Sequence, residues 1–197
     1  PFWRGTRSVW RRDRNFRGFM ISRILMQFAT MGYAFYIVYC TRYLGMSVFT
    51  AGVLTSVLMG TQFIANPLMG WLGDRFGHAT MLKVGLLAAV LSSLLAWWAT
   101  SPIWFYLIMI LTGISIVAVW TTSLTMSVQF GSEAHRPLYI GMANTLLAPA
   151  TILAPIFGGW LADAVSYQTT FLASAGFGLV TLVVLQALVK NSRIPEA

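Results

Sequence analysis

The sequence predicts an all-α membrane protein: six transmembrane helices arranged as a 3+3 inverted-topology repeat. Three observations carry this. First, the 197 residues are 57% hydrophobic and 9% charged, with mean hydropathy +0.72. A soluble domain is usually about a quarter charged, and a chain this apolar has lipid as its solvent. Second, the apolar residues fall into six runs long enough to cross about 30 Å of hydrocarbon as helices. Third, a phrase at the end of the second run returns at the end of the fifth.

The six runs are 19–39, 49–70, 81–99, 103–128, 138–162 and 170–189. Strand alternation is absent, and the runs are too long for barrel strands. They make one transmembrane domain, 18–189. A basic lead-in (1–17) precedes it and a short tail (190–197) follows. The lead-in has no apolar core before a cleavage site, so it is not a secretory signal.

The charges orient the bundle. Arg4, Arg7, Arg11, Arg12, Arg14 and Arg17 precede span one. Arg75, Lys83, Arg136, Lys190 and Arg193 fall on the same side, and only Arg42 lies opposite. Basic residues mark the cytoplasmic side, so both termini are expected inside. This distribution makes the net charge of +8 an orientation signal rather than a nucleic-acid surface. Arg23 is expected about one turn into span one, snorkelling to the inner surface. Trp97, Trp98 and Trp104 frame a short outer turn as an interfacial belt would.

The returning phrase is "IANPLMGWLGDRFGHAT" (64–80), which aligns with "LAPIFGGWLADAVSYQT" (153–169) at an offset of 89. Gly70, Trp71, Leu72 and Asp74 meet Gly159, Trp160, Leu161 and Asp163. Three spans separate the copies, so they run in opposite directions through the membrane, as in the inverted repeats of secondary transporters. The inner copy keeps Arg75 and the outer copy has Ala164 there, as positive-inside requires.

Polar side chains inside spans must face protein or water. In span two, Thr55, Gln62 and Asn66 lie within about 40° of one helical face. The repeat partners of Thr55 and Gln62 are Asn144 and Thr151, again on one face of span five. Span one carries Arg23, Gln27 and Thr30, then Tyr33 and Tyr36. The partners of the two tyrosines are Thr122 and Thr125, near Trp120. Spans three and six lack such stripes and are expected to be peripheral, lipid-facing supports. The candidate solute cavity is therefore Gln27, Thr30, Tyr33, Tyr36, Gln62, Trp120, Thr122, Asn144 and Thr151. For each Thr the competing reading is a bond to its own helix, and for the Tyr and Trp it is core packing. Pro149, Pro155, Gly158 and Gly159 mark a bend in span five, either a gating element or a static kink.

Other chemistries lack their residues. By these boundaries none of the five acids, Asp13, Asp74, Glu133, Asp163 and Glu196, lies at mid-membrane depth. One cysteine, Cys40, builds neither a disulfide within the chain nor a metal cluster. No phosphate loop or nucleotide fingerprint occurs. No metal, cofactor or enzymatic activity is expected.

"GWLGDRFGHAT" resembles the signature loop after the second helix of a major facilitator superfamily half: Gly, three residues, Asp, Arg, one residue, Gly, then basic residues. Gly70, Asp74, Arg75 and Gly77 match it. His78 and Ala79 replace the basic tail, with Lys83 as a partial substitute. "APIFGGWLAD" is similar to the Pro-x-x-Gly-Gly helix of the same family. The resemblance implies one six-helix half of a transporter that moves a small solute by alternating access. Spans one and four would line the cavity, with spans two and five flanking it against a second six-helix half. It implies a conformational latch at Gly70, Asp74, Arg75 and Gly77, with Asp74 near a helix N-terminus and Arg75 on acids or lipid phosphates. The basic lead-in resembles the family's central cytoplasmic loop, which points to the second half; a first half or a half-size protein pairing as a dimer are the alternatives. A cavity of amides, Met and aromatics suits a neutral or moderately apolar solute, for efflux or for metabolite uptake. The alternative function is a non-transporting six-helix scaffold or partner subunit.

Overall fold

The computed structural model describes residues 14–122 and 136–188. Six helical spans cross it, and no strand occurs among the described residues. Span one is composite: α1 (Arg14–Ala29), a 3-10 turn (Met31–Phe35) and α2 (Tyr36–Tyr43). Span two is α3 (Val48–Phe76) and span three is α4 (His78–Trp98). Span four is α5 (Trp104–Val117) running into a π-helical turn (Ala118–Thr122). Spans five and six are α6 (Arg136–Ala164) and α7 (Tyr167–Leu188). Each expected run falls on one of these, although 123–128 of the fourth lies outside the described residues.

Local chemistry sets the boundaries. The Ser47 side chain accepts a hydrogen bond from the Thr50 N–H (3.1 Å) and caps α3. The Ser166 hydroxyl does the same for Thr169 N–H at the start of α7. Gly77 alone separates α3 from α4, with φ +90° and ψ 136°. That combination is strained for any residue with a Cβ. Trp98 and Trp104 meet edge to face at 5.5 Å across the outer turn.

The packing repeats as the sequence does. α7 lies against α1, and α5 lies against α4: spans six-on-one and three-on-four, exchanged by the repeat. Likewise α3 packs on α5, and α6 packs on α1. α4 and α7 pack on each other across the pseudo-symmetry.

The spans differ in how much of each the bundle itself buries. α4 is the most buried span, and α3 and α6 are the least. Ser92, Ser93, Thr170, Ser174 and Thr181 are all buried, so these two apolar-looking helices also carry polar side chains into the interior. The helix starts at Arg14, so Arg23 lies about two and a half turns in. It is buried, with its guanidinium over the Phe19 ring.

Candidate functional site

The polar residues of span one divide by the direction they face. Tyr33 donates to the Ser115 hydroxyl of α5 at 2.8 Å. Tyr36 is 0% exposed, and its hydroxyl meets Ser93 at 3.1 Å and Ser92 at 3.4 Å on α4. Tyr39 accepts from the Gln168 amide of α7 at 3.0 Å. The three tyrosines recur every third residue, and each tethers span one to a different helix. A phenol in an apolar interior needs such a partner. Tyr36 also packs on Phe105 and Phe171, so it belongs to the helix-packing core. No signal in span one announced these partners. Ser92, Ser93, Ser115 and Gln168 are the residues sequence reasoning passed over, and paired small hydroxyls such as Ser92-Ser93 in an apolar run are the clue.

Gln27 and Thr30 are half-buried. The Thr30 hydroxyl donates to the carbonyls of Met26 and Gln27, within its own helix. Thr55 and Thr151 likewise donate to Ala51 and Leu147 four residues back. The threonines therefore spend their protons locally, as threonines in membrane helices do.

The amides differ. Asn144 and Thr151 lie on the exposed face of α6, and Asn66 on that of α3, with Gln62 half-buried beside it. Asn66 donates to the Gln62 carbonyl (2.9 Å) and accepts from the Thr121 hydroxyl (3.1 Å), joining α3 to the π-turn of span four. Trp120, inside that turn, is 62% exposed. Thr122 closes the turn, and its side chain lies outside the described residues. Gln62, Trp120, Asn144 and Thr151 thus reach the outside of the bundle, whereas the hydroxyls of Tyr33 and Tyr36 are taken up by neighbouring helices.

The exposed faces of α3 and α6 have a matched pattern. Trp71 is 59% exposed and its repeat partner Trp160 is 60% exposed. Phe63 and Ile64, with their partners Ile152 and Leu153, are exposed as well. α6 runs unbroken through Pro149 and Pro155, both on its exposed face. Gly158 is buried, and a Cβ there would come within 3.2 Å of Met31 and Phe35. This glycine lets span one approach α6 closely; Gly159 stands beside it, near Phe35.

At the α3–α4 joint, the Asp74 carboxylate lies 3.5 Å from His78 Nε2, the first residue of α4, and is 81% exposed. Arg75 lies over the rings of Trp71 and Phe76 at 5.8 and 5.7 Å. Gly70 is in the last turns of α3, and Gly77 makes the joint. Among the described residues no three His, Cys, Asp or Glu side chains gather as metal ligands. Cys40 is buried.

A sequence profile of the Major Facilitator Superfamily matches residues 19–197. The chain belongs to the major facilitator superfamily. Several curated members of known name are similar to it. The inner membrane metabolite transport protein YgcS of Escherichia coli (strain K12) is 26% identical over 128 residues, 65% of this chain and 28% of that protein. Multidrug resistance protein 1 of Bacillus subtilis (strain 168) is 26% identical over 145 residues, 74% of this chain and 37% of that protein. The class H tetracycline resistance protein of Pasteurella multocida is 27% identical over 154 residues, covering 74% and 38%. The crystal structure of a peptide transporter (POT) in complex with sulfate superposes with TM-score 0.74 at 16% identity, covering 87% of this chain and 37% of that one. The chain therefore spans roughly a third of the length of these major facilitator relatives. Membership makes it an integral membrane protein of a transporter family, and the six packed spans are this superfamily's helical unit.

Proposed function

We propose that this chain is one six-helix half of a major facilitator transporter that moves a small solute by alternating access. The observation that carries the reading is the matched exposure of α3 and α6. Two helices related by the repeat carry the same exposed apolar stripe, Trp71 with Trp160 and Phe63-Ile64 with Ile152-Leu153, which we read as one open side of the bundle. A second six-helix half covers that side, and the solute cavity lies between the halves. Amides on the open side supply hydrogen bonds to the solute, Gln62 from α3 and Asn144 from α6, with Trp120 as an aromatic wall. Gln27, Thr30, Thr122 and Thr151 stand around them, with Tyr33 behind, its hydroxyl held by Ser115. Tyr36 is left out of the lining.

The joint Gly70–Asp74–Arg75–Gly77 acts as the latch. Asp74 beside the N-terminus of α4 favours one relation of α3 to α4. Both termini face the cytoplasm, with the lead-in 1–17 as central loop and 190–197 as tail. A cavity of amides and an indole without a deep carboxylate suits a neutral or moderately apolar solute. The multidrug and tetracycline resistance names among the relatives support efflux, and the metabolite transport name supports uptake.

The test is accumulation of tetracycline and chloramphenicol in cells making the protein, beside Gln62→Ala and Asn144→Ala. Lower accumulation that each substitution restores, at equal protein in the membrane, supports the cavity. A neutral-solute panel with unchanged accumulation, and no compound that raises the melting temperature of the purified protein, refutes it. For the latch, Asp74→Asn is expected to slow transport; transport at the full rate refutes it.

A further inference from the structure

The Asn66 side chain is engaged at both ends. Its amide NH2 donates to the Gln62 carbonyl at 2.9 Å, and its oxygen accepts from the Thr121 hydroxyl at 3.1 Å. The two bonds fix which end is which. A backbone carbonyl only accepts, so the NH2 must face Gln62; the oxygen then faces Thr121, which must donate. Pro67 follows Asn66 inside α3. It lacks the N–H that the Phe63 carbonyl, four residues back, would otherwise take. The Asn66 amide goes to Gln62 instead, so it does not fill the gap left by the proline. The bond to Gln62 holds the amide with its oxygen turned to span four.

Span four meets that oxygen in its π turn, Ala118–Thr122. The turn is anchored from two helices. Ala118 sits against α4, where a Cβ on Gly85 would collide with it. Three residues on, Thr121 is held by Asn66 of α3. Trp120 lies between the anchors and is 62% exposed. An indole with so little packing around it is placed by its backbone, and that backbone is placed by Ala118 and Thr121. The second copy of the repeat lacks this clamp. Asn66 and Thr121 correspond there to Pro155 and Gly32, which have no side-chain donor or acceptor. The polar residues Thr30 and Thr151 of that copy's helices donate within their own helices.

We propose that Asn66 is a positioning residue that ties Gln62 and Trp120 into one preformed wall, and that this wall takes a solute with a planar aromatic ring and a polar edge. The ring stacks on the face of Trp120, and a carbonyl or hydroxyl at its edge meets the Gln62 amide. A wall already held in place loses less freedom on binding than two side chains that move independently. The solute class rests on the proposed cavity; the clamp itself is a property of α3 and span four.

Fluorine NMR of the full chain in detergent micelles, with 5-fluorotryptophan at the eight tryptophans, tests the clamp with no solute present. Trp120→Phe assigns the Trp120 resonance. Asn66→Ala and Thr121→Val should each shift and narrow that resonance while the others hold. Thr121→Ser, which keeps the hydroxyl, should leave it in place. Thr112→Ala removes a buried hydroxyl bonded within its own helix and should move none. Loss of one hydrogen bond corresponds to about a fivefold change. Tetracycline affinity of the purified protein should therefore fall about fivefold in Asn66→Ala and in Thr121→Val, and stay near its original value in Thr121→Ser. The proposal is overturned if Thr121→Val leaves the Trp120 resonance unmoved, or shifts all eight alike. It is also overturned if tetracycline affinity survives loss of the clamp, or if glucose binds and tetracycline does not. A Trp120 resonance that answers to Asn66 and Thr121 while neither probe binds would sink the transport reading and the solute class, and leave the clamp standing.

Discussion

Replacing Tyr36 by phenylalanine deletes one oxygen and keeps a ring packed on Phe105 and Phe171 at 6.1 and 5.1 Å. The lost contacts are the 3.1 Å bond to Ser93 and the longer 3.4 Å one to Ser92. Ser92 retains its bond to the Ala89 carbonyl at 2.9 Å, so its hydroxyl stays satisfied. Only the Ser93 contact is lost outright. Side-chain hydrogen bonds between membrane helices average about 0.6 kcal/mol and reach about 1.7. The expected cost is therefore about 1 kcal/mol, or about 2–4 °C in melting temperature for a chain of this size. Tyr36→Ala also removes the ring and should cost about 3 kcal/mol or more. The assay is reversible unfolding in mixed micelles with the cycle Tyr36→Phe, Ser93→Ala and the double variant. A coupling near 1 kcal/mol is the expected result. A coupling of zero, with stability unchanged and solute affinity altered in Tyr36→Phe, would refute the packing role and return the phenol to the solute.

Three further outcomes follow from the same geometry. Gly77→Ala places a Cβ at φ +90° and should cost about 1–2 kcal/mol of stability, read by thermal unfolding; an unchanged melting temperature would mean the α3–α4 joint relaxes without strain. Gly158→Val drives methyl groups into Met31 and Phe35; overpacking of this kind costs about 1–3 kcal/mol, and a variant as stable as the original would show that α6 and span one can separate freely. Thr100→Cys puts a thiol at an exposed site in the turn between Trp98 and Trp104. A membrane-impermeant maleimide added outside intact cells should label it, whereas the buried Cys40 should stay silent; labelling only after lysis would reverse the orientation read from the arginines.

The spans were legible because length and hydropathy are properties of a run and need no partner. The repeat was legible for a similar reason: Gly-Trp-Leu-x-Asp is a local phrase, and its second copy has the same exposure in the fold. What a helical period cannot say is which neighbour a face meets. Tyr33 and Tyr36 share a span with Gln27 and Thr30, yet their hydroxyls are taken up by Ser115, Ser92 and Ser93. The serines of span three went unremarked because a buried serine among alanines and leucines leaves hydropathy almost unchanged, although Ser92 and Ser93 meet the Tyr36 hydroxyl. The threonines went the other way, bonding back to their own carbonyls as local chemistry permits. The π turn at Ala118–Thr122 had no local cause to read. The contacts at it, the approach of α4 at Gly85 and the Thr121–Asn66 hydrogen bond, are both tertiary.

Trp71 and Trp160 end their helices on opposite faces of the bilayer, because the two copies run in opposite senses. α3 and α6 each hold 29 residues, about 43 Å of helix. A body that covers both indoles must therefore reach from one headgroup layer to the other, and offer like surfaces at its two ends. A peripheral domain, a short anchor or a single amphipathic helix is too small or too one-sided for that task. The indoles act as a gauge: they fix the minimum height of any body that covers both.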